Sequence, residues 1–316
     1  MLTTHVQGSA AAPRYAVLFP GQGVQRPGMG EPWRTTPSWE LVESVSRVSG
    51  FDVAELLLTA DQETLSRTDH AQISVFTASL LAWSELRASE PDTRVVALAG
   101  HSLGEYAALV AAGVLSVTDG AWLVGERGRA MAEAARRRPG AMAAVMGGDL
   151  ERVTALVEAA RRDGADLWVA NHNSPRQTVI AGSRTAVLAT ADRAADAGLR
   201  YSVLPVGAAC HSPYMEPAGE ALSRALDLTE FRAGAIPVVA NVDAAVHYGG
   251  SGWRERCARQ LVAPVRWVDT LRALHEELDA TAFLDIGPGT TLSSLAKRTL
   301  PGVPSRGFGA PVPQRA

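Results

Sequence analysis

Val95-Val96-Ala97-Leu98-Ala99-Gly100-His101-Ser102-Leu103-Gly104-Glu105-Tyr106-Ala107-Ala108-Leu109-Val110 runs from an apolar, β-branched segment through Gly-x-Ser-x-Gly into an alanine-rich helical pattern. That succession is a nucleophile elbow, a sharp strand-to-helix turn that lifts a serine hydroxyl clear of the backbone. Glycines at 100 and 104 spare a crowded turn two Cβ atoms. The helix that follows points free N–H groups and its positive dipole end at the serine. Negative charge developing on an attacked acyl oxygen is stabilised there. Ser102 therefore reads as an acyl-accepting nucleophile. The elbow does not name the reaction, because lipases, esterases, thioesterases and acyltransferases share it.

Outward from the elbow, residues 15–19 read as a short buried strand ending in the glycine-rich turn Pro20-Gly21-Gln22-Gly23-Val24-Gln25. The turn lacks the Gly-Lys-Ser/Thr ending of a phosphate loop, but bared backbone N–H groups serve an oxyanion equally well. Helical patterns cover 37–50, 70–89 and 119–136, with a strand over 94–99. From 141 the pattern changes. Strands at 141–146, 167–170, 177–181 and 201–204 alternate with helices at 150–162 and 184–197 in the order β-α-β-β-α-β, the ferredoxin-like unit. A returning α/β segment follows, with strands at 236–241 and 283–286 and helices at 266–278 and 291–297. The expected fold class is α/β, a parallel sheet carrying the elbow plus an inserted ferredoxin-like subdomain.

Composition narrows the function. The 316 residues are 47% hydrophobic and 20% charged, enough apolar material for a sizeable core. A net charge of −3 gives no global case for nucleic acid. Arginine is abundant and Lys297 is the sole lysine. Cys210 and Cys257 are too few for a zinc cluster or a disulfide framework, so no metal and a reducing, cytoplasmic setting are expected. The start of the chain does not read as a signal peptide. No apolar run is long enough to span a membrane, so no membrane partner is expected. Residues 1–13 and 309–316 read as tails.

An elbow serine needs a base to take its proton. Seven histidines compete. His5 lies in the tail, His101 adjoins the serine in a turn where neighbours point apart, and His70, His172, His247 and His275 have ordinary surface or core readings. His211 follows Val206-Gly207-Ala208-Ala209-Cys210, where small residues leave room for a substrate, and Pro213 stiffens the turn. Residue chemistry favours His211 without excluding the others.

Further motifs occur in order along the chain. They are Phe19-Pro20-Gly21-Gln22-Gly23-Val24-Gln25, Gly100-His101-Ser102-Leu103-Gly104-Glu105-Tyr106, Arg127-Gly128-Arg129-Ala130-Met131, and Gly140-Ala141-Met142-Ala143-Ala144-Val145. Asn173-Ser174-Pro175, His211-Ser212-Pro213, Gln260-Leu261 with Pro264-Val265, and Ile286-Gly287-Pro288-Gly289 complete the set. Together they resemble the malonyl-CoA:acyl carrier protein transacylase family, which includes polyketide synthase acyltransferase domains. The likeness covers about residues 14–300. It implies a hydrolase-like core over 14–138 and 206–308, with the ferredoxin-like subdomain over 139–205.

The resemblance also implies roles. Ser102 is the nucleophile and His211 the base, oriented by the backbone carbonyl of Gln260. Backbone N–H groups of Gln22 and Leu103 form the oxyanion hole. Arg127 grips the free carboxylate of a malonyl-type acyl group, a task that suits a planar guanidinium with two parallel donors. Without the resemblance Arg127 is one solvated arginine among many on its helix. Gln72 matches an active-site glutamine, although Ile73 stands where the family has proline. The implied activity is transfer of a malonyl-type group from CoA, through an acyl-serine, to the phosphopantetheine thiol of an acyl carrier protein in fatty acid or polyketide synthesis. No bound cofactor is implied.

The chain departs from the family pattern before the base. Malonyl-selective synthase domains generally have phenylalanine directly before the histidine, and methylmalonyl-selective ones serine, with tyrosine at the first of the four positions. Here those two places hold Cys210 and Ala208, which predicts a wider acyl pocket. Leu103 after the serine matches the malonyl type. Carrier proteins are acidic, so Arg136, Arg161, Arg176 and Arg298 are candidate contacts, against a reading as solvated charge. Rival activities are an acyl shuttle between two carrier proteins, an acyl carrier protein hydrolase, and an esterase using Ser102, Asp243 and His275. A carrier-binding module with a dead site is the non-enzymatic rival.

Overall fold

Two sheets divide the strands of the protein. A computed structural model describes residues 12–309; the remaining tail residues, His5 among them, lie outside the described residues. The strands in chain order are β1 (Tyr15–Phe19), β2 (Val95–Gly100), β3 (Ala141–Met146), β4 (Leu167–Ser174), β5 (Gln177–Gly182), β6 (Arg200–Val203), β7 (Val238–Val239), β8 (Val246–His247), β9 (Ala282–Ile286) and β10 (Ser305–Phe308).

The larger sheet has the order β10-β9-β1-β2-β7-β8. Neighbours from β10 to β7 pair in parallel and only β8 runs back. Its central strands are buried on both faces, which is why β1 reads as an unbroken apolar run and not as an alternation. The register sets Phe19 opposite Gly100. The Gly21–Gly23 turn and the elbow therefore leave the same carboxyl edge side by side, the edge where parallel sheets carry their sites.

The smaller sheet, β4-β5-β3-β6, is antiparallel. With the Leu150–Arg162 and Arg184–Asp196 helices it has the β-α-β-β-α-β topology expected from sequence. Alternation along β3 assigns its two faces. Ala141, Ala143 and Val145 pack with Val153, Val157 and Val187 of those helices. Met142 and Ala144 turn the other way and join the main core. Backbone bonds between β4 and Val265 tie this sheet to the rest: His172 N–H to Val265 O and Val265 N–H to Ala170 O, each 2.9 Å.

Some elements differ from expectation. The strand predicted over 236–241 contracts to β7 at Val238–Val239, paired with the unpredicted β8. The Glu216–Asp227 helix was not predicted; its Pro217 sits in the first turn, where its missing N–H costs nothing. The Trp253–Gln260 helix is mostly charged and carries little apolar periodicity. Short helices at Val53–Leu58 and Gln62–Ser66 and strand β10 were also unpredicted. No helix among the described residues is long and apolar enough to cross a membrane.

Candidate active site

Ser102 sits at φ 52°, in the left-handed region that ordinary residues avoid. The turn permits nothing larger at its flanks. A Cβ on Gly100 would lie 1.9 Å from the Gly104 carbonyl carbon, and one on Gly104 would lie 2.0 Å from Phe19 O. The Gly104–Ala111 helix starts directly after the turn.

Ser102 Oγ lies 2.8 Å from His211 Nε2. His211 Nδ1 faces two backbone carbonyls, Gln260 O at 2.9 Å and Ala263 O at 3.1 Å. Carbonyls only accept, so Nδ1 carries the proton and Nε2 is free to accept one from Ser102. Burial, with the charge of Arg127 second, pushes the imidazole down to about 3 while the two carbonyls pull the other way. His211 is therefore neutral in the resting protein.

Arg127 lies on the Val117–Arg137 helix and is 1% exposed. Its Nη1 donates to Gln72 Oε1 at 2.6 Å, and its Nη2 donates to Gln260 Oε1 at 3.0 Å and Ser102 Oγ at 3.1 Å. Its Nε has no acceptor among the described residues. Among the described residues no carboxylate comes within ion-pair distance of the guanidinium. A buried cation without a countercharge is costly, so the site is built to receive an anion.

These groups line a cleft of about 410 Å³, together with Gln22, Leu103 and Cys210. Gly21 brings the first turn against the elbow, since a Cβ there would lie 2.5 Å from His101 O. The backbone N–H groups of Gln22 and Leu103 have no acceptor among the described residues. The cleft thus joins a serine, a neutral base, two free backbone donors and a buried guanidinium.

Three further groups had no role assigned from sequence, although Glu105 and Asn173 stand inside the quoted motifs. Asn241 accepts the Ser102 N–H on Oδ1 at 2.7 Å and donates from Nδ2 to Gly100 O at 2.7 Å. Glu105, fully buried, accepts from Asn241 N and from Gln260 Nε2. Asn173 Oδ1 lies 2.8 Å from His101 Nε2, which commits that ring nitrogen away from Ser102.

The remaining candidates are scattered. Ala208, expected to line the acyl pocket, is 1% exposed in the core and absent from the cleft wall. Residues 207–212 form turns, so 208 and 210 do not share a face as they would in a strand. Cys210 does reach the cleft, and burial pushes its thiol up to about 11, which keeps it protonated. Arg136, Arg161, Arg176 and Arg298 lie on separate elements and none lines the cleft. Arg136 pairs with Glu133 at 2.6 Å, Arg176 donates to Gly147 O at 2.6 Å, and Arg161 lies over the Trp168 ring. The esterase triad does not assemble: Asp243 binds His247 and Arg256, and His275 Nδ1 bonds Ala280 O at 2.8 Å.

The model of the acyl transferase domain family matches residues 17–306 of the sequence. The chain belongs to that family. Acyl transferases of this kind include the malonyl CoA-acyl carrier protein transacylase of Bacillus subtilis, 36% identical over 290 residues, 90% of each chain. The solved malonyl-CoA:acyl carrier protein transacylase of Xanthomonas oryzae has a TM-score of 0.88 at 37% identity, with 95% of both chains covered. A malonyl-transacylase solved in complex with its type II PKS acyl-carrier protein has a TM-score of 0.88 at 33% identity, covering 94% of this chain and 96% of that one. The parallel sheet with its small antiparallel companion is the α/β acyltransferase fold.

Proposed function

We propose that the protein transfers a malonyl-type acyl group from CoA to the phosphopantetheine thiol of an acyl carrier protein, in fatty acid or type II polyketide synthesis. The observation that carries the acyl class is Arg127, buried beside Ser102 Oγ with no carboxylate of its own. The names of the relatives and the carrier complex among them support the donor and the partner. The large unit over 14–138 and 206–308 would hold the dyad, and the small one over 139–205 would close the cleft.

The thioester carbonyl oxygen sits between the Gln22 and Leu103 N–H groups. The acyl carboxylate takes the Arg127 donors, drawing them off Ser102 Oγ. His211 Nε2 accepts the Ser102 proton as Oγ attacks the carbonyl carbon. The tetrahedral intermediate collapses, the C–S bond breaks, and CoA leaves as a thiol with the proton from Nε2. The carrier thiol then attacks the ester by the reverse route, giving ping-pong transfer. The Gln260 and Ala263 carbonyls hold the imidazolium formed in each step, so no third acid is required. No metal or redox cofactor enters this sequence. Two free buried thiols, Cys210 and Cys257, suit a reducing cytoplasm.

Intact-protein mass after mixing with malonyl-, methylmalonyl-, ethylmalonyl- and acetyl-CoA tests the reading. A carboxylated acyl adduct is expected, and retention of acetyl alone overturns it. His211→Ala will lower transfer about 100-fold or more, whereas His275→Ala will leave it within about two-fold; a reversed ranking restores the esterase triad. Because burial holds His211 far below its ordinary value, kcat/KM will stay level as pH falls from 7 to 5. A free imidazole would lose about 25-fold over that range, so a fall centred near 6.5 contradicts the assigned environment.

A further inference from the structure

We infer that Glu105 is a positioning residue for carboxylate selection, acting on Arg127 through the side-chain amide of Gln260; the inference rests on the function proposed above. Glu105 touches neither the cleft nor a reacting atom. It lies on the first turn of the Gly104–Ala111 helix, 0% exposed beneath the elbow. Its Oε1 accepts from Gln260 Nε2 at 2.7 Å and its Oε2 from Asn241 N at 2.6 Å.

The Gln260 amide has two unlike ends, and both are committed. Nε2 donates to Glu105 and to Ser102 O at 2.9 Å, while Oε1 accepts from Arg127 Nη2 at 3.0 Å. A flipped amide would set NH₂ against the guanidinium and oxygen against two acceptors. The carboxyl of Glu105 therefore fixes which end faces Arg127. Each of the two carboxyl oxygens accepts one N–H, so the group is held at both ends. Burial pushes Glu105 up to about 8, while the bonds from Asn241 and Gln260 pull it the other way. The same carboxyl grips Asn241, whose side chain holds both Gly100 O and Ser102 N.

The test compares malonyl- with acetyl-CoA in the wild type, Glu105→Gln, Arg127→Ala and the double variant. Glu105→Gln is expected to lower the malonyl-to-acetyl kcat/KM ratio about ten-fold or more, chiefly through KM for malonyl-CoA, and to add nothing to the ratio once Arg127 is gone. Equal losses for both substrates, or the same ratio change in the Arg127→Ala background, overturn the inference. Should Glu105→Gln fail to fold, Gln260→Met carries the test. It keeps the volume and the carbonyl at His211 but removes the amide. A fall in the ratio is expected and an unchanged ratio overturns the inference. A wild type with no preference for malonyl-CoA defeats the proposed function and the inference together. A wild type that prefers it, with variants that keep the preference, defeats the inference alone.

Discussion

Ser102→Ala will take up no acyl mass from any of the CoA thioesters and will lose transfer by about 10,000-fold or more. The loss is that large because in the proposed route the acyl-serine is an obligatory stop between two thiols. Among the described residues lining the cleft, Ser66 Oγ is turned back on Gln62 O and no other hydroxyl faces His211 Nε2. Cys210 shares the cleft, but burial keeps its thiol protonated up to about 11. The residual rate will reflect the Gln22 and Leu103 donors and substrate binding, which the substitution leaves in place. An adduct that survives in Ser102→Ala, mapped by peptide mass, would move the nucleophile elsewhere.

Arg127→Ala will invert the acyl preference. Truncating one partner of a buried, hydrogen-bonded charge pair costs on the order of 2–5 kcal/mol, so kcat/KM for malonyl-CoA will fall about 30-fold or more. Acetyl-CoA has no carboxylate to orphan and will be spared that loss. It will also meet a base relieved of a nearby positive charge, since Arg127 is the second cause of the low His211 value. Steady-state rates with both thioesters give the ratio directly. A ratio equal to the wild-type value would remove Arg127 from recognition.

The elbow was legible because one short window carries strand, turn and helix signals together. The small sheet was legible for the same reason, since β3 to β6 and their helices follow local periods of two and 3.6 residues. Ser102, His211, Arg127 and Gln72, which the family pattern marks, line one cleft, and Gln260 bonds Arg127 and His211 from behind its wall. Asn241 and Glu105 were not legible. Their contacts join segments 136 residues apart, and nothing in either neighbourhood announces a partner at that distance. Ala208 misled because a residue two places from a cleft residue shares its face only in a strand, and residues 207–212 form turns instead.

Ser102 and His211 both hold left-handed backbone, at φ 52° and 58°. For a residue with a Cβ that conformation costs about 1–2 kcal/mol, and glycine escapes the cost. The two side chains that would do the chemistry thus occupy the places where the chain gains least from having side chains at all. Drift toward a sturdier molecule would erase the dyad first, and only a demand for turnover retains it.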